Sequence, residues 1–178
     1  MNAPARVPTG AAEDPDNAGW YSWGDFPRGS FAAQTGRLLF KPDSDGQARC
    51  RMFPNESHLN MGGSIHGGAV MSFIDMALFA GGRCAGMAEG HYVTLDCATH
   101  FIARGRIDVP LDAIVRLVGQ TKGGHVFLSG LVAEEPHRLH GLAARTPDQI
   151  DQSPARCPAG EIEHRHLESR MSAGVAQQ

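Results

Sequence analysis

One stretch of the chain carries apolar residues at helical spacing. From about Ile65 or His66 to about Cys84, apolar side chains recur at i, i+3, i+4, i+7 and i+8, at Val70, Phe73, Ile74, Ala77 and Leu78. A helix this apolar is buried over most of its surface. The glycines after Ala80 can end it. The pattern therefore predicts one central, largely buried helix.

The segments on either side alternate in the manner of strands. Residues 30–42 predict a strand or bent strand, and residues 47–53 a returning strand after the turn sequence PDSDG. Residues 91–104, 111–124 and 125–135 predict three more. In the first of these three, alternation places two sets of side chains on opposite faces: Val93, Leu95, Cys97 and Phe101 on one, and Tyr92, Thr94, Asp96 and His100 on the other. The predicted fold class is α+β, one helix against an antiparallel sheet in the order β–β–α–β–β–β.

The two ends of the chain differ in composition from this central domain of residues 25–135. Residues 1–24 are rich in Pro, Gly, Ala and Asp, which predicts a flexible arm pinned by Trp20 and Trp23 at its end. Residues 136–178 contain no Phe, Tyr or Trp and show no sustained alternation. They predict a polar C-terminal tail with at most one short helix.

Composition excludes several classes of protein. A chain of 178 residues suits one domain, and a formal net charge of −3 gives no electrostatic footprint for nucleic acid. Four cysteines without close pairing predict reduced thiols, at Cys50, Cys84, Cys97 and Cys157. No signal-peptide pattern is present, and the longest apolar run is too short for a membrane span. We expect a soluble, cytoplasmic protein that binds neither membrane nor nucleic acid.

Two features of the predicted helix suggest chemistry. Asp75 is a single carboxylate in the apolar run AVMSFIDMALFA, and a buried carboxylate is costly unless it is paired, protonated or used. It could instead cap a loop or pair with an Arg. Gly67 and Gly68 open the helix, where unpaired N–H groups and the helix dipole can form an oxyanion hole. The glycines could instead simply make a tight turn.

The spacing of these features bears on assembly. Gly67 and Asp75 are eight positions apart on one helix, or about 12 Å along its axis. Asp75 would not easily reach a carbonyl held by Gly67 of the same chain. If both residues are catalytic, two antiparallel helices across a two-fold axis would bring Gly67 of one subunit to Asp75 of the other.

The residues Asn60, Gly63, His66, Gly67, Gly68 and Asp75 form the pattern N-x-x-G-x-x-H-G-G-x-x-x-x-x-x-D. With the following VTLDCATHFIARG, this pattern resembles the hotdog-fold acyl-CoA thioesterases of the PaaI-like, phenylacetate-degradation type. The resemblance covers roughly residues 31–133. It implies a long central helix wrapped by an antiparallel sheet, in a homodimer or a dimer of dimers with active sites at the dimer interface.

The resemblance also implies roles for individual residues. Asp75 would be the catalytic carboxylate, as general base or nucleophile, and Gly67 would polarise the thioester carbonyl through its N–H. Asn60 would orient water or substrate, and Thr94 would hydrogen-bond near the carboxylate. His66 belongs to the motif, but it could simply hold the loop by a hydrogen bond. The positions expected to contact substrate are Gly63, Gly68 and Arg104, the last of them through the phosphates of coenzyme A.

Thioester hydrolysis by these residues would need no metal and no cofactor beyond the coenzyme A of the substrate. His137, His140, His164 and His166 lack partners at a recognised metal-site spacing.

The chain departs from the family pattern at its C-terminus. Family members usually end with one more strand after the segment matching HVFLSGLVAEE, and HRLHGLAARTPDQIDQ does not supply it. We therefore expect that strand to be lost or replaced. Two other functions stay open, namely a non-catalytic hotdog module that binds an acyl thioester or a partner protein, and a hotdog dehydratase or hydratase.

Overall fold

The computed structural model describes residues 5–122, 125–134 and 169–177. Within these residues there is one α-helix, α1, which spans Gly67–Cys84. The strands are β1 (Ala12–Glu13), β2 (Tyr21–Ser22), β3 (Leu39–Pro42), β4 (Gln47–Met52), β5 (Tyr92–Phe101), β6 (Leu111–Gln120), β7 (His125–Glu134) and β8 (Ser169–Gln177). Short 3-10 helices cover Ala32–Thr35, Ser44–Gly46 and Glu56–His58.

All the strands join one antiparallel sheet. Five long strands lie in the order β4-β6-β7-β8-β5, and the short strands β3, β2 and β1 extend the sheet beyond β4. Helix α1 packs on this sheet through a buried stripe that includes Val70, Phe73, Ile74, Ala77 and Leu78. These are the residues whose spacing predicted the helix, and the predicted α+β fold class is confirmed.

Two glycines near the end of α1 bring the helix close to the sheet. A Cβ atom on Gly81 would lie 2.6 Å from the Cβ of Val115 on β6, nearer than packed carbon atoms can approach. A Cβ on Gly82 would lie 3.1 Å from a methyl group of Leu128 on β7. The sequence predicted these glycines as helix terminators, but Gly81 and Gly82 lie within the helix and serve helix–sheet contact.

The hairpin before the helix forms as predicted, with one correction. β3 and β4 pair through Leu39↔Arg51 to Pro42↔Ala48, joined by a turn in which Asp45 has a φ of 55°. The predicted strand over residues 30–42 begins only at Leu39, because Ala32–Thr35 is a 3-10 helix. The Thr35 hydroxyl in that helix donates to the Ala32 carbonyl at 2.7 Å, and its oxygen lies 3.1 Å from the Met76 sulfur of α1.

The flexible arm predicted for residues 1–24 is wrong for the part that the structure describes. Trp20 is 7% exposed, and the Lys41 ammonium and the Arg51 guanidinium lie 4.5 and 4.4 Å from its ring centroid. The Trp23 ring lies 4.3 Å from that of Phe40. The two tryptophans do pin the segment, and cation–π contacts add to burial in holding it.

The prediction of a polar tail is wrong for Ser169–Gln177. This segment is β8, which pairs with β7 on one side and with β5 on the other. We expected the family's final strand to be lost or replaced, and β8 replaces it. Residues 135–168, which include Cys157 and the histidines at 137, 140, 164 and 166, lie outside the described residues.

A register shift in β5 changes which side chains face the helix. Thr94 pairs with Val175 and Asp96 with Gly174, so Leu95 is an extra residue in the ladder. Thr94 contacts α1, and further along the strand so does Phe101. The predicted separation of Thr94 from Phe101 on opposite faces is therefore wrong, because a bulge reverses the alternation beyond it.

Candidate active site

The loop before the helix is shaped by Asn60. Its side-chain oxygen accepts hydrogen bonds from the N–H groups of Gly62 and Ser64, at 2.8 and 3.3 Å. Gly63 has a φ of +72°, a conformation that favours glycine, and its N–H donates to the Asn60 carbonyl. Asn60 and Gly63 therefore fix the turn that leads into α1.

His66 caps the helix. Its Nδ1 atom accepts a hydrogen bond from the Gly68 N–H at 2.9 Å, and the ring is exposed. A Cβ atom on Gly68 would lie 2.9 Å from that Nδ1 atom, so a side chain at position 68 would obstruct the cap. The hydrogen bond expected as the alternative role of His66 is present, and Gly68 makes room for it.

Gly67 keeps a free donor at the helix start. The Gly68 N–H is bound by His66, and the Ala69 and Val70 N–H groups donate to the His66 carbonyl. The Gly67 N–H has no hydrogen-bond partner among the described residues. It lies at the positive end of the helix dipole, which is the arrangement an oxyanion requires.

An open cleft of about 530 Å³ lies beside this helix start. Gly67, Asn60 and Arg104 line it, together with apolar side chains from the loop, the helix and the segment after β5: Met61, Ile65, Val70, Phe101 and Ala103. Phe101 was not predicted as a site residue. Its ring lies 3.6 Å from where a Cβ of Gly67 would be, and the bulge in β5 that directs it there leaves no clear sequence signal.

Asp75 lies on the exposed side of α1, which corrects the expectation that it is buried. Its Oδ1 atom accepts a hydrogen bond from the Thr94 hydroxyl at 2.6 Å. No Arg or Lys forms an ion pair with it among the described residues. The contact with Thr94 is the one that the family resemblance implied.

The half-buried Cys97 follows Thr94 on the same strand. Burial is the main cause that raises the pKa of its thiol, and the negative charge of Asp75 contributes to the rise. Cys97 is therefore held in its neutral form beside the carboxylate.

The predicted site residues thus form two groups on one chain. Asn60, Gly67 and Arg104 line the cleft, whereas Asp75 and Thr94 lie together two turns further along α1. A helical rise of 1.5 Å per residue separates Gly67 from Asp75 by about 12 Å. His66 and Gly68 line a second cavity, of about 430 Å³, on another side of the helix start.

The described residues contain no group of three or more His, Cys, Asp or Glu side chains arranged to hold a metal ion. Within the same part of the chain, no helix is long and apolar enough to cross a membrane.

Comparison with known proteins agrees with this fold and motif. The model of the Thioesterase superfamily matches residues 62–138, which include the helix start, Asp75 and Thr94. The resemblance predicted from the sequence is therefore confirmed: this part of the chain matches the family's model, and the fold is the hotdog fold. A search of curated protein sequences finds no match.

Solved structures share the fold at low sequence identity. One is the PaaI protein of the Escherichia coli phenylacetic acid degradation operon, which is 15% identical with a TM-score of 0.57, over 84% of this chain and 86% of that one. Zebrafish thioesterase superfamily member 2 is 14% identical with a TM-score of 0.58, over 84% and 88%. A hypothetical thioesterase from Streptococcus pneumoniae TIGR4, solved with coenzyme A, is 14% identical with a TM-score of 0.52, over 80% and 90%.

Proposed function

We propose that this protein hydrolyses an acyl-CoA thioester to a free acid and coenzyme A. The observation that carries the proposal is the hydrogen bond from Thr94 of β5 to Asp75 of α1. The first residue of the same helix, Gly67, keeps an N–H without a partner among the described residues. A carboxylate fixed by one hydroxyl still has an oxygen available for chemistry. The coenzyme A bound to the Streptococcus pneumoniae protein supports this choice of substrate class.

The reaction uses the two groups on either side of the thioester. The Gly67 N–H and the helix dipole stabilise the tetrahedral oxyanion, and Asp75 activates water or attacks the carbonyl carbon itself. The thiolate leaves without an acid because thiols have a pKa of about 8.5. Arg104, exposed at the cleft, contacts the phosphates of coenzyme A. No metal or further cofactor takes part.

A homodimer completes the site in this proposal. Strand β5 pairs with β8 along one edge, and its other edge has no strand partner in the described part of the chain. Large apolar side chains on and beside this strand are exposed to solvent: Val93, Leu95, Phe101 and Ile102. A second copy paired there covers these side chains and brings its Asp75 toward Gly67 of the first. Light scattering should give at least twice the monomer mass, as a dimer or a dimer of dimers.

The alternative functions have less support. A dehydratase of this fold needs a histidine with a carboxylate placed for proton transfer, and no carboxylate bonds to His66 among the described residues. A missing last strand would have favoured a pure binding module, but β8 occupies the position of that strand in the sheet. The cytoplasmic location predicted from the sequence stays a prediction.

The proposal is tested by thiol release from a panel of aryl-, short-chain and medium-chain acyl-CoA thioesters. Wild-type protein should release thiol, and Asp75→Asn should lower kcat by about 100-fold or more, as for an essential base. Asp96→Asn is the matched control, because Asp96 is an exposed carboxylate on the same strand as Thr94. A folded dimer that releases no thiol from any substrate would support the binding module instead.

One further experiment distinguishes whether Asp75 acts as general base or as nucleophile. A single turnover in H₂¹⁸O places the heavy oxygen in the acid product if water attacks directly. If Asp75 attacks, the thiolate leaves and a mixed anhydride forms; when water opens this anhydride at the Asp75 carboxyl carbon, the first acid released carries an oxygen from Asp75 and the label enters Asp75.

A further inference from the structure

We propose that His58 is a positioning residue for the oxyanion donor at Gly67. This inference rests on the proposed thioesterase function. His58 is 4% exposed, lies outside both groups of site residues, and makes no contact that the reaction itself requires. Its ring nitrogens and its carbonyl are nevertheless all bonded to segments that surround the helix start.

The ring of His58 ties the loop to the 3-10 helix Ala32–Thr35. Its Nδ1 atom accepts from the Asn55 N–H at 2.9 Å, and its Nε2 atom lies 2.9 Å from the Gln34 carbonyl oxygen. Because Nδ1 is an acceptor there, the proton is on Nε2, which donates to Gln34. Because Nδ1 accepts and Nε2 donates, a 180° flip of the ring would break both hydrogen bonds.

The carbonyl of His58 holds the residue that starts the helix. It accepts a hydrogen bond from the His66 N–H at 2.7 Å, directly before Gly67. The neighbouring bridge between Leu59 and Ile65 closes the same turn. The orientation of the peptide that carries the Gly67 N–H therefore depends on where His58 is fixed.

The 3-10 helix Ala32–Thr35, to which the His58 ring bonds, is itself in contact with α1. The hydroxyl oxygen of Thr35, next to Gln34, lies 3.1 Å from the Met76 sulfur in the middle of the helix. The contacts thus run in a closed circuit from α1 through the 3-10 helix and His58 back to the start of α1. Such a circuit holds a donor within the tolerance that catalysis needs, since a misplacement of about 1 Å can cost about 100-fold in rate.

Three substitutions separate the two ring contacts. His58→Phe keeps the ring volume and removes both hydrogen bonds. His58→Asn places an acceptor near Nδ1 and keeps the bond from Asn55, whereas His58→Gln extends a donor toward Gln34. Val126→Ala is the control for lost stability, because Val126 is fully buried in β7 and takes no part in the hydrogen bonds described above.

We expect His58→Phe to lower kcat about 10- to 100-fold while KM changes by less than about threefold, the pattern for a lost transition-state interaction. His58→Asn and His58→Gln should each recover part of the loss. Val126→Ala should leave kcat within about twofold of wild type although its Tm falls. An unchanged kcat in His58→Phe, or an equal loss in Val126→Ala, would overturn the proposal.

A second measurement does not depend on turnover. Amide hydrogen exchange at His66 should accelerate in His58→Phe and stay slow in Val126→Ala at matched global stability. If wild type releases no thiol from any acyl-CoA, the thioesterase proposal fails, but this exchange result still decides whether His58 holds the helix start. Unchanged exchange at His66 in His58→Phe would overturn the positioning role.

Discussion

At the scale of single residues, the two adjacent glycines of the motif have different tasks. Gly67 keeps a free N–H beside the cleft, and a Cβ there would make an ordinary contact, 3.6 Å from Phe101. Gly68 makes room for the His66 cap, and a Cβ there would lie 2.9 Å from the ring. Glycine at 68 is therefore a packing requirement, whereas at 67 the structure leaves space for a methyl group.

This difference gives a prediction for the helix start. Gly68→Ala should displace the His66 ring and remove the cap, lowering the free energy of unfolding by about 0.5–2 kcal/mol, the cost of losing an N-cap. Gly67→Ala should not lose stability. Urea unfolding of both variants checks this, and an equal loss in the two would contradict it.

The cysteines give a prediction of reactivity. Burial raises the pKa of Cys84 to about 12 and also raises that of Cys50. Because the thiolate is the nucleophile, iodoacetamide at pH 8 should leave both unlabelled in the native protein and label them in denaturant. The half-buried Cys97 should react at an intermediate rate. Peptide mass spectrometry measures each site, and rapid native labelling of Cys84 would show the helix end to be open.

At the scale of elements, the contact between α1 and the sheet depends on small residues. Gly81 admits no side chain against Val115, whereas the apolar stripe that precedes it on the helix includes the large side chains of Phe73 and Leu78. Gly81→Ala should lower the free energy of unfolding by about 1–3 kcal/mol through overpacking, despite the better helix propensity of alanine. Gly67→Ala is the matched control in the same helix. A stabilised Gly81→Ala variant would mean that β6 moves away at little cost.

The N-terminal segment is held to the sheet by a buried carboxylate. Asp14 is 3% exposed and forms an ion pair with Arg37. A hydrogen bond from the Asn17 side chain, with further help from the Asp16 N–H and Arg37, lowers the pKa of Asp14 below its ordinary 3.8. A carboxylate with a depressed pKa stabilises the fold above its unfolded pKa, and that stability is lost as pH falls through the folded value.

Asp14→Asn should therefore lower Tm at pH 7, and the gap to wild type should close below about pH 4. Asp16→Asn should have little effect, because its ion pair with Arg37 is exposed and weak. Thermal unfolding followed by circular dichroism at several pH values measures both variants. A gap for Asp14→Asn that persists at pH 2 would point to packing rather than charge.

At the scale of the whole molecule, the strand that the sequence did not predict completes the sheet. β8 has the sequence SRMSAGVAQ, whose small and polar residues carry no hydrophobic alternation, yet it pairs along its length with both neighbours. Removing residues 169–178 would leave β5 with no strand partner in the described chain. We expect such a truncation to lose the cooperative thermal transition, whereas removal of Gln178 alone should not. A soluble, cooperatively folded truncation would show that β5 and β7 can pair directly.

Sequence reasoning succeeded where one periodicity or one motif decided the outcome. The spacing from Val70 to Leu78 defined α1, and the glycine pair of the motif marked the start of that helix at Gly67. It failed where tertiary contacts override local pattern. The bulge at Leu95 lies in the pairing of β5 with β8, and the N-terminal segment is held by contacts of Trp20 with two cations rather than by its own composition. His58 has no periodic or compositional signal, since its role lies in contacts with distant backbone.

The position of β8 has a consequence for how the protein is made. Strand β5 leaves the ribosome long before β8, since Phe101 pairs with Ser169 and Tyr92 with Gln177. At about 5–20 residues per second, the exposed apolar edge of β5 waits several seconds for its neighbour. Pairing over such a distance also slows folding through its loop-closure entropy. The nascent chain should therefore depend on chaperones during this interval more than a protein whose sheet closes in chain order.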